Sequence, residues 1–468
     1  MTDRRKPNRR EFVRTAGATA ALGMTGAYLA GHSKPAAARV LGANDRVNLG
    51  VIGCGWRGGQ HMKELLRRQK EKGDCQLVAV SDLYVRRLNE ATEATGAKGY
   101  RDYHELLARD DIDGILTPTP WHWHAKVSLD AMEAGKDVYV ETPMTISIPD
   151  AKKVYETQQR TKRILEVGNQ MACWDEYHRA REVVRSGVLG KILVMLASWC
   201  RNSSEGQWNY VAPHPDAITD DADAETTRWP VWQGWDFALA PERDFDRDRF
   251  FRFRKFRDYG GGSASDLLCH TLGAMLVATG HEFPLKVSSA GGQYVEMDRD
   301  IYDTYITTIE YPSQYTAILD GTMVSEYSWP EAIRGHEAVL LIDRGGVTVA
   351  PEPPFTQGFE DKCAKAGLKG EWTEVDIPRW GGTRKVKALR IPERKDPDRF
   401  TESFLHDDFI KCIRTREKAL EGAWEGYMIT VAVEMGVSSY YENRTMYFDP
   451  EKRELLKEIP PRTNQKKF

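Results

Sequence analysis

The sequence is poor in cysteine and makes no organised use of it. Seven cysteines occur in 468 residues, at positions 54, 75, 173, 200, 269, 363 and 412. The number is odd, and there is no C-x-x-C pair or framework spacing. This argues against a disulfide-stapled scaffold and a cysteine-ligated zinc site, and no metal is expected. Neither sign of charge dominates. Lys and Arg total 66 against 69 Asp and Glu, a formal net charge of −3. A nucleic-acid partner or a membrane-surface patch calls for a basic excess, and none exists. Also missing is any apolar run long enough to cross a bilayer. What remains is the composition of an ordinary soluble globular chain, 41% hydrophobic and 29% charged, long enough for two sizeable cores.

The first 38 residues do not read as fold. Asn8-Arg9-Arg10-Glu11-Phe12-Val13-Arg14 precedes the mild apolar run "TAGATAALGMTGAYLAG", and Ala36-Ala37-Ala38 offers a small-residue cleavage site. A basic start, a short apolar middle and an A-x-A end make an export signal. The paired arginines resemble a twin-arginine signal. The expectation is export to the periplasm or beyond by the twin-arginine machinery. That machinery moves folded protein, so a cofactor would travel with the chain.

Residues 47–52 form a β-type apolar run, and Gly53-x-Gly55-x-x-Gly58 follows at once before a helical pattern. Strand, glycines and helix in this order are the context a dinucleotide fingerprint requires. Gly53 makes the tight turn, Gly55 lets backbone approach the pyrophosphate, and Gly58 lets helix and strand pack closely. Trp56 and Arg57 lie between them at the helix start and are placed with the cofactor. A second strand, "CQLVAVSD", ends in Asp82, an acidic side chain suited to the adenosine ribose hydroxyls. It favours NAD, while Ser81, Arg86 and Arg87 keep NADP open. Strand and helix then alternate through "DIDGILTPTP", "WHWHAKVSLDAMEAG" and "KDVYVETP" at the spacing of a parallel doubly wound sheet.

At "PTPWHWHAKVSLDAMEAGKDVYVETPMT" the chain closely resembles the Gfo/Idh/MocA family, the glucose-fructose oxidoreductase and inositol dehydrogenase group. The resemblance continues through "VRSGVLGKI", "WQGWDFALAP", "DYGGGSASDLLCHTLG" and "HDDFIKCIR", covering roughly residues 45–450. It implies an N-terminal Rossmann domain, 45–168, and a C-terminal α/β domain, 169–450, with a large, mainly antiparallel open sheet. A tail, 451–468, would follow. The β-rich stretches after residue 190 agree with this, and the final helices fit a return to the first domain. The resemblance also implies a carbohydrate or polyol substrate, a homo-oligomer formed through the open sheet, and cofactor contacts by Pro120 and Glu141.

Asp266 and His270, in "SDLLCHTLG", stand at i and i+4 after Gly260-Gly261-Gly262. On a helix this puts both on one face, and glycine backbone just before lets a ligand come close. In the family the matching pair holds sugar hydroxyls, which makes His270 the expected acid/base and Asp266 the residue expected to orient the substrate. His124, in "PWHWHAK", matches a family histidine near the nicotinamide, and Trp123 stands beside it. Thr142 departs from the pattern, since the family usually has lysine there. A threonine hydroxyl is no acid or base and can only hold a group by hydrogen bonding. The family's NAD-dependent glycosidases, with twin-arginine signals, also lack this lysine. They oxidise a sugar hydroxyl transiently, so that the glycosidic bond leaves by elimination. Their catalytic tyrosine falls on Cys173 here, with Tyr177 one turn away, a departure from that branch. The sequence thus leaves open a sugar dehydrogenase, a redox-neutral glycosidase or lyase, and a weakly catalytic sugar-binding relative. The tryptophan-rich stretch 199–235 is a candidate wall of the sugar site.

Overall fold

In the computed structural model, which describes residues 46–394 and 402–457, the first half realises the alternation seen in the sequence. Strand β1 (Val47–Ile52) is buried on both faces, as a parallel sheet covered by helices demands. It is joined by β2 (Cys75–Ser81), β3 (Lys98–Tyr100), β4 (Gly114–Thr117), β5 (Asp137–Val140) and β6 (Leu165–Val167), all parallel, in the order β3-β2-β1-β4-β5-β6. Helices α1 (Trp56–Glu71), α2 (Val85–Thr95), α3 (Trp121–Glu133) and α4 (Ile148–Thr161) make the longer crossovers. Helix α4 shows the local logic. Ser147 caps it, accepting from the Asp150 N–H, and a proline stands in its first turn. Strand order reverses between β1 and β4. Their carboxyl ends therefore open the crevice where such sheets bind ligands.

The second sheet has eleven strands. They are β7 (Ile192–Ser198), β8 (Lys286–Gly292), β9 (Thr304–Glu310), β10 (Thr316–Thr322), β11 (Glu331–Gly335), β12 (Ala338–Asp343), β13 (Gly346–Pro351), β14 (Glu371–Arg379), β15 (Gly382–Pro392), β16 (Met446–Asp449) and β17 (Glu454–Leu456). Their order is β14-β15-β13-β12-β11-β7-β10-β9-β8-β16-β17. The β10–β7 pair is parallel and the other pairs are antiparallel. Helices α5 (Asp175–Ser186) and α6 (Cys269–Thr279) pack against each other and on this sheet. Strand β9 alternates buried Tyr305, Thr307 and Ile309 with exposed Ile306, Thr308 and Glu310, so the other face is open.

The chain then returns to the first sheet, as expected. Helix α7 (Glu402–Thr415) sends Phe409, Ile410 and Ile413 into one cluster with Val47, Leu49 and Val51. Helix α8 (Ala423–Glu442), buried along most of its length, packs on α4 and β8. The described residues fall within one unit, Leu41–Phe468. The expected export signal, 1–38, and the end of the expected tail, 458–468, lie outside the described residues. Among the described residues no helix is long and apolar enough to cross a membrane, no cluster of side chains could hold a metal, and all seven cysteines are free.

Candidate active site

The glycine loop is a place where side chains cannot stand. Gly53 has φ +102°, and a Cβ on it would lie 2.9 Å from the Pro118 carbonyl oxygen. A Cβ on Gly58 would lie 2.0 Å from the Gly53 carbonyl oxygen. Gly55 is the N-cap of α1. A cradle that admits only backbone at the start of a helix fits a pyrophosphate. Asp82 closes the loop from β2, its Oδ2 accepting from Cys54 N–H at 2.7 Å and its Oδ1 from Tyr84 N–H at 2.8 Å. Burial raises the Asp82 pKa, with Arg87 working the other way. Beside it lies a cavity of about 250 Å³ lined by Gly53, Asp82, Leu83, Thr119, Trp123 and Val127, among others. The cavity opens at the carboxyl end of β2, next to the carboxylate that the sequence assigned to the adenosine ribose.

A strap from the segment between β7 and α6 crosses this loop. Asp216 Oδ1 accepts from Trp56 N–H at 3.2 Å and pairs with Arg87 Nη2 at 2.6 Å. A carboxylate thus meets the helix N-terminus that a phosphate would favour. The Trp56 ring tilts against His214, and His214 stacks on Tyr210 at 4.1 Å. Nearer the second sheet the same strap places Trp208, whose Nε1–H donates to Asp266 Oδ2 at 3.2 Å.

His270 lies at the start of α6, after one π-helical turn, Ala264–Leu268. Such turns are frequent at functional sites. Its Nε2 is 2.8 Å from Thr142 Oγ1, and its Nδ1 is 3.1 Å from Asn169 Oδ1. Burial lowers its pKa from 6.5 to about 4, opposed by Glu141 and Asp266. At neutral pH it is therefore a neutral imidazole. Asp266 is held by Arg254 Nε at 3.0 Å as well as by Trp208. Trp199 tilts towards the His270 ring at 5.7 Å, with the Arg201 guanidinium over its face.

Glu141, at the carboxyl end of β5, accepts from Arg57 Nε at 3.0 Å and from His61 Nε2 at 2.7 Å. Burial works against its charge, yet Arg57 and His61 hold it well below the usual carboxylate range. It ties the first turn of α1 to the strand that carries Thr142. Pro120 is the N-cap of α3.

Three expected lining residues are placed differently. His124 is almost wholly buried. Its Nδ1 lies 2.7 Å from the Pro143 carbonyl oxygen and its Nε2 lies 2.8 Å from that of Thr119. It braces the ends of β4 and β5 and has no ring nitrogen left for the nicotinamide. Trp123 lines a cavity, but the one beside Asp82, and its Nε1–H donates to the Trp232 carbonyl at 2.6 Å. Tyr177 is buried, and its hydroxyl donates to Glu331 Oε2 on β11 at 2.7 Å. It is a strut under the large sheet. Cys173 is also buried, its thiol donating to the Gln170 carbonyl.

The tryptophan-rich stretch divides. Trp199 and Trp208 come to the His270–Asp266 pair, whereas Trp229 and Trp232 stack on each other at 4.8 Å within a buried aromatic cluster. Asn169, Asp216 and Arg254 were not singled out in the sequence, and Trp208 only as part of the tryptophan-rich stretch. Of the first three, Asn169 alone carried a signal, standing just beyond a short apolar run at a strand's carboxyl end.

Comparison with known proteins agrees with the fold and with an NAD-binding first domain. Residues 47–169 match the family model described as the oxidoreductase family, NAD-binding Rossmann fold. A glycosyl hydrolase family 109 protein of Shewanella pealeana is 28% identical over 208 residues, which is 40% of this chain and 45% of the relative. An alpha-N-acetylgalactosaminidase of Shewanella oneidensis is 29% identical over 208 residues. The chain thus spans less than half the length of the curated relatives it matches. Levoglucosan dehydrogenase in complex with NADH and L-sorbose shares the fold, with TM-score 0.61 and 15% identity over 86% of this chain and 98% of that one. Residues 47–169 thus match the NAD-binding Rossmann domain of the Gfo/Idh/MocA oxidoreductases.

Proposed function

We propose that the chain oxidises a secondary alcohol of a sugar or polyol with NAD, held by Gly53, Gly55, Gly58 and Asp82. The observation that carries this reading is the His270 imidazole turned to Thr142 at the carboxyl end of β5, with Nε2 2.8 Å from the Thr142 hydroxyl. NAD, when bound, supplies the hydride acceptor. His270 is the base for the alcohol proton. Asp266, fixed by Arg254 and Trp208, holds a neighbouring hydroxyl through its remaining lone pairs. Trp199 gives the ring an apolar wall. The twin-arginine-like leader supports export with the cofactor already in place. Free NAD is scarce outside the cytoplasm, so a tightly held cofactor regenerated in place suits that location. The open face of the large sheet, with Ile306 and Leu193 exposed, supports a homo-oligomer.

A second reading is favoured by the names of the curated relatives. It is a redox-neutral glycosidase, in which the same oxidation acidifies a neighbouring C–H and the glycosidic bond leaves. Against it stands Cys173, where that branch has its tyrosine. One experiment separates the two. Protein purified with its own cofactor is screened against free sugars and aryl glycosides. A net rise in nicotinamide absorbance with a free sugar supports the dehydrogenase. Aryl glycoside cleavage without net NADH, with solvent deuterium entering the ring, supports the glycosidase. Stoichiometric cofactor with neither activity would overturn both.

A further inference from the structure

We propose that Thr142 relays the substrate's hydroxyl proton to His270, and that Asn169 makes the relay possible by fixing which ring nitrogen of His270 carries hydrogen. The proposal rests on the function proposed above and specifies how its proton moves without the family's lysine.

The hydrogen-bond directions follow from one backbone group. Asn169 is fully buried, and one of its side-chain atoms accepts from Met171 N–H at 3.2 Å. A backbone N–H can only donate, so that atom is the amide oxygen. The same oxygen faces His270 Nδ1 at 3.1 Å, so Nδ1 carries the hydrogen. The amide nitrogen donates to the His270 carbonyl at 3.3 Å and to Glu421 Oε2 at 3.0 Å. With every polar atom engaged, Asn169 cannot flip without breaking several bonds. Gly273, one turn beyond His270, makes room for it: a Cβ there would lie 2.4 Å from Asn169 Nδ2.

Nε2 of the neutral ring is then a lone pair. The Thr142 hydroxyl, 2.8 Å away, must be the donor. Its single proton is committed to the ring, so its oxygen offers only lone pairs to an incoming alcohol. The substrate O–H donates to Thr142 Oγ1. As that O–H bond breaks, its proton joins Thr142 oxygen while the threonine's own proton moves to Nε2. Thr142 ends neutral and His270 ends as an imidazolium. The carbinol C–H leaves with both electrons as hydride for an oxidised nicotinamide dinucleotide, and the C–O bond becomes C=O. Threonine never holds net charge, so its high pKa is no obstacle. A burial that keeps the imidazole neutral suits the starting state.

Two measurements test this. The first is nitrogen-15 NMR of the His270 ring, which needs no substrate. Hydrogen on Nδ1 is expected in the wild type, shifting towards Nε2 in Asn169→Leu and staying on Nδ1 in Asn169→Asp. Hydrogen on Nε2 in the folded wild type overturns the proposal. The second uses any sugar the holoenzyme turns over. Thr142→Val should lower kcat roughly 10- to 100-fold, within the range of proton-transfer catalysis, with little change in KM. It should also diminish the solvent isotope effect, and Thr142→Ser should restore both. A Thr142→Val enzyme within threefold of wild type overturns the relay. If no sugar is oxidised, the proposed function falls, and the NMR result still decides the tautomer.

Discussion

At the dinucleotide end of the site the working groups are backbone. Three glycines leave carbonyls and N–H groups bare, and a Cβ at Gly58 would strike peptide atoms. At the His270 end the working groups are side chains, with Thr142, His270, Asn169 and Glu421 joined in one hydrogen-bonded chain and Asp266 held separately by Arg254 and Trp208. Backbone dipoles have no protonation state, so the glycine loop itself does not titrate and is intolerant of volume. The second can move a proton because burial has shifted its groups. His270 is pushed down to about 4 and Glu421 up to about 8. A site that must hold a fixed charge and also transfer a proton is built from both.

Changes at each end should therefore fail differently. His270→Ala is expected to lower kcat/KM roughly 10²- to 10⁴-fold while bound NAD stays stoichiometric in the denatured protein. Loss of the cofactor instead would join the two ends and break the contrast. Gly58→Ala should do the reverse. Overpacking against backbone costs on the order of 1–3 kcal/mol, so the purified variant should carry little NAD, while the His270 ring resonances keep their wild-type pattern. The pH profile sharpens the distinction. The base is active when unprotonated, so kcat/KM should hold down to about pH 5 and fall as pH drops through about 4. An acid limb near 6.5, the value of a free imidazole, would mean the ring is solvated in the working enzyme. Smallest is Asp216→Asn. Removing an anion from a helix N-terminus that also faces phosphate should tighten NAD binding by roughly 0.3–1 kcal/mol, read by calorimetry on cofactor-stripped protein. Weaker binding would show that Asp216 serves the dinucleotide by holding Arg87.

The same contrast sets what could be read in advance. Gly53, Gly55 and Gly58 act through local backbone, and spacing alone reports them. The parallel alternation of strand and helix also followed, apart from the three-residue strands β3 and β6, too short to leave a period. Asp266 and His270 were visible because one helix carries both. Asn169 and Trp208 reach them from residues 58 to 101 positions away, and no periodicity encodes such meetings. His124 and Tyr177 were misplaced for a related reason. A motif gives the position of a side chain along the chain, but which way it turns is decided by unpaired carbonyls and carboxylates elsewhere. For His124 these are Thr119 and Pro143, and for Tyr177 it is Glu331.

The strap from Trp208 to Asp216 is pinned at both ends, one on the carboxylate beside His270 and one on the first turn of α1. One nine-residue segment thus touches both ends of the cleft, with its carboxylate on the helix N-terminus beside the glycines and its indole on the carboxylate near His270. A substitution that loosens this segment would be felt by both neighbours at once, so Trp208 and Asp216 belong in one double-mutant cycle and not in two separate experiments.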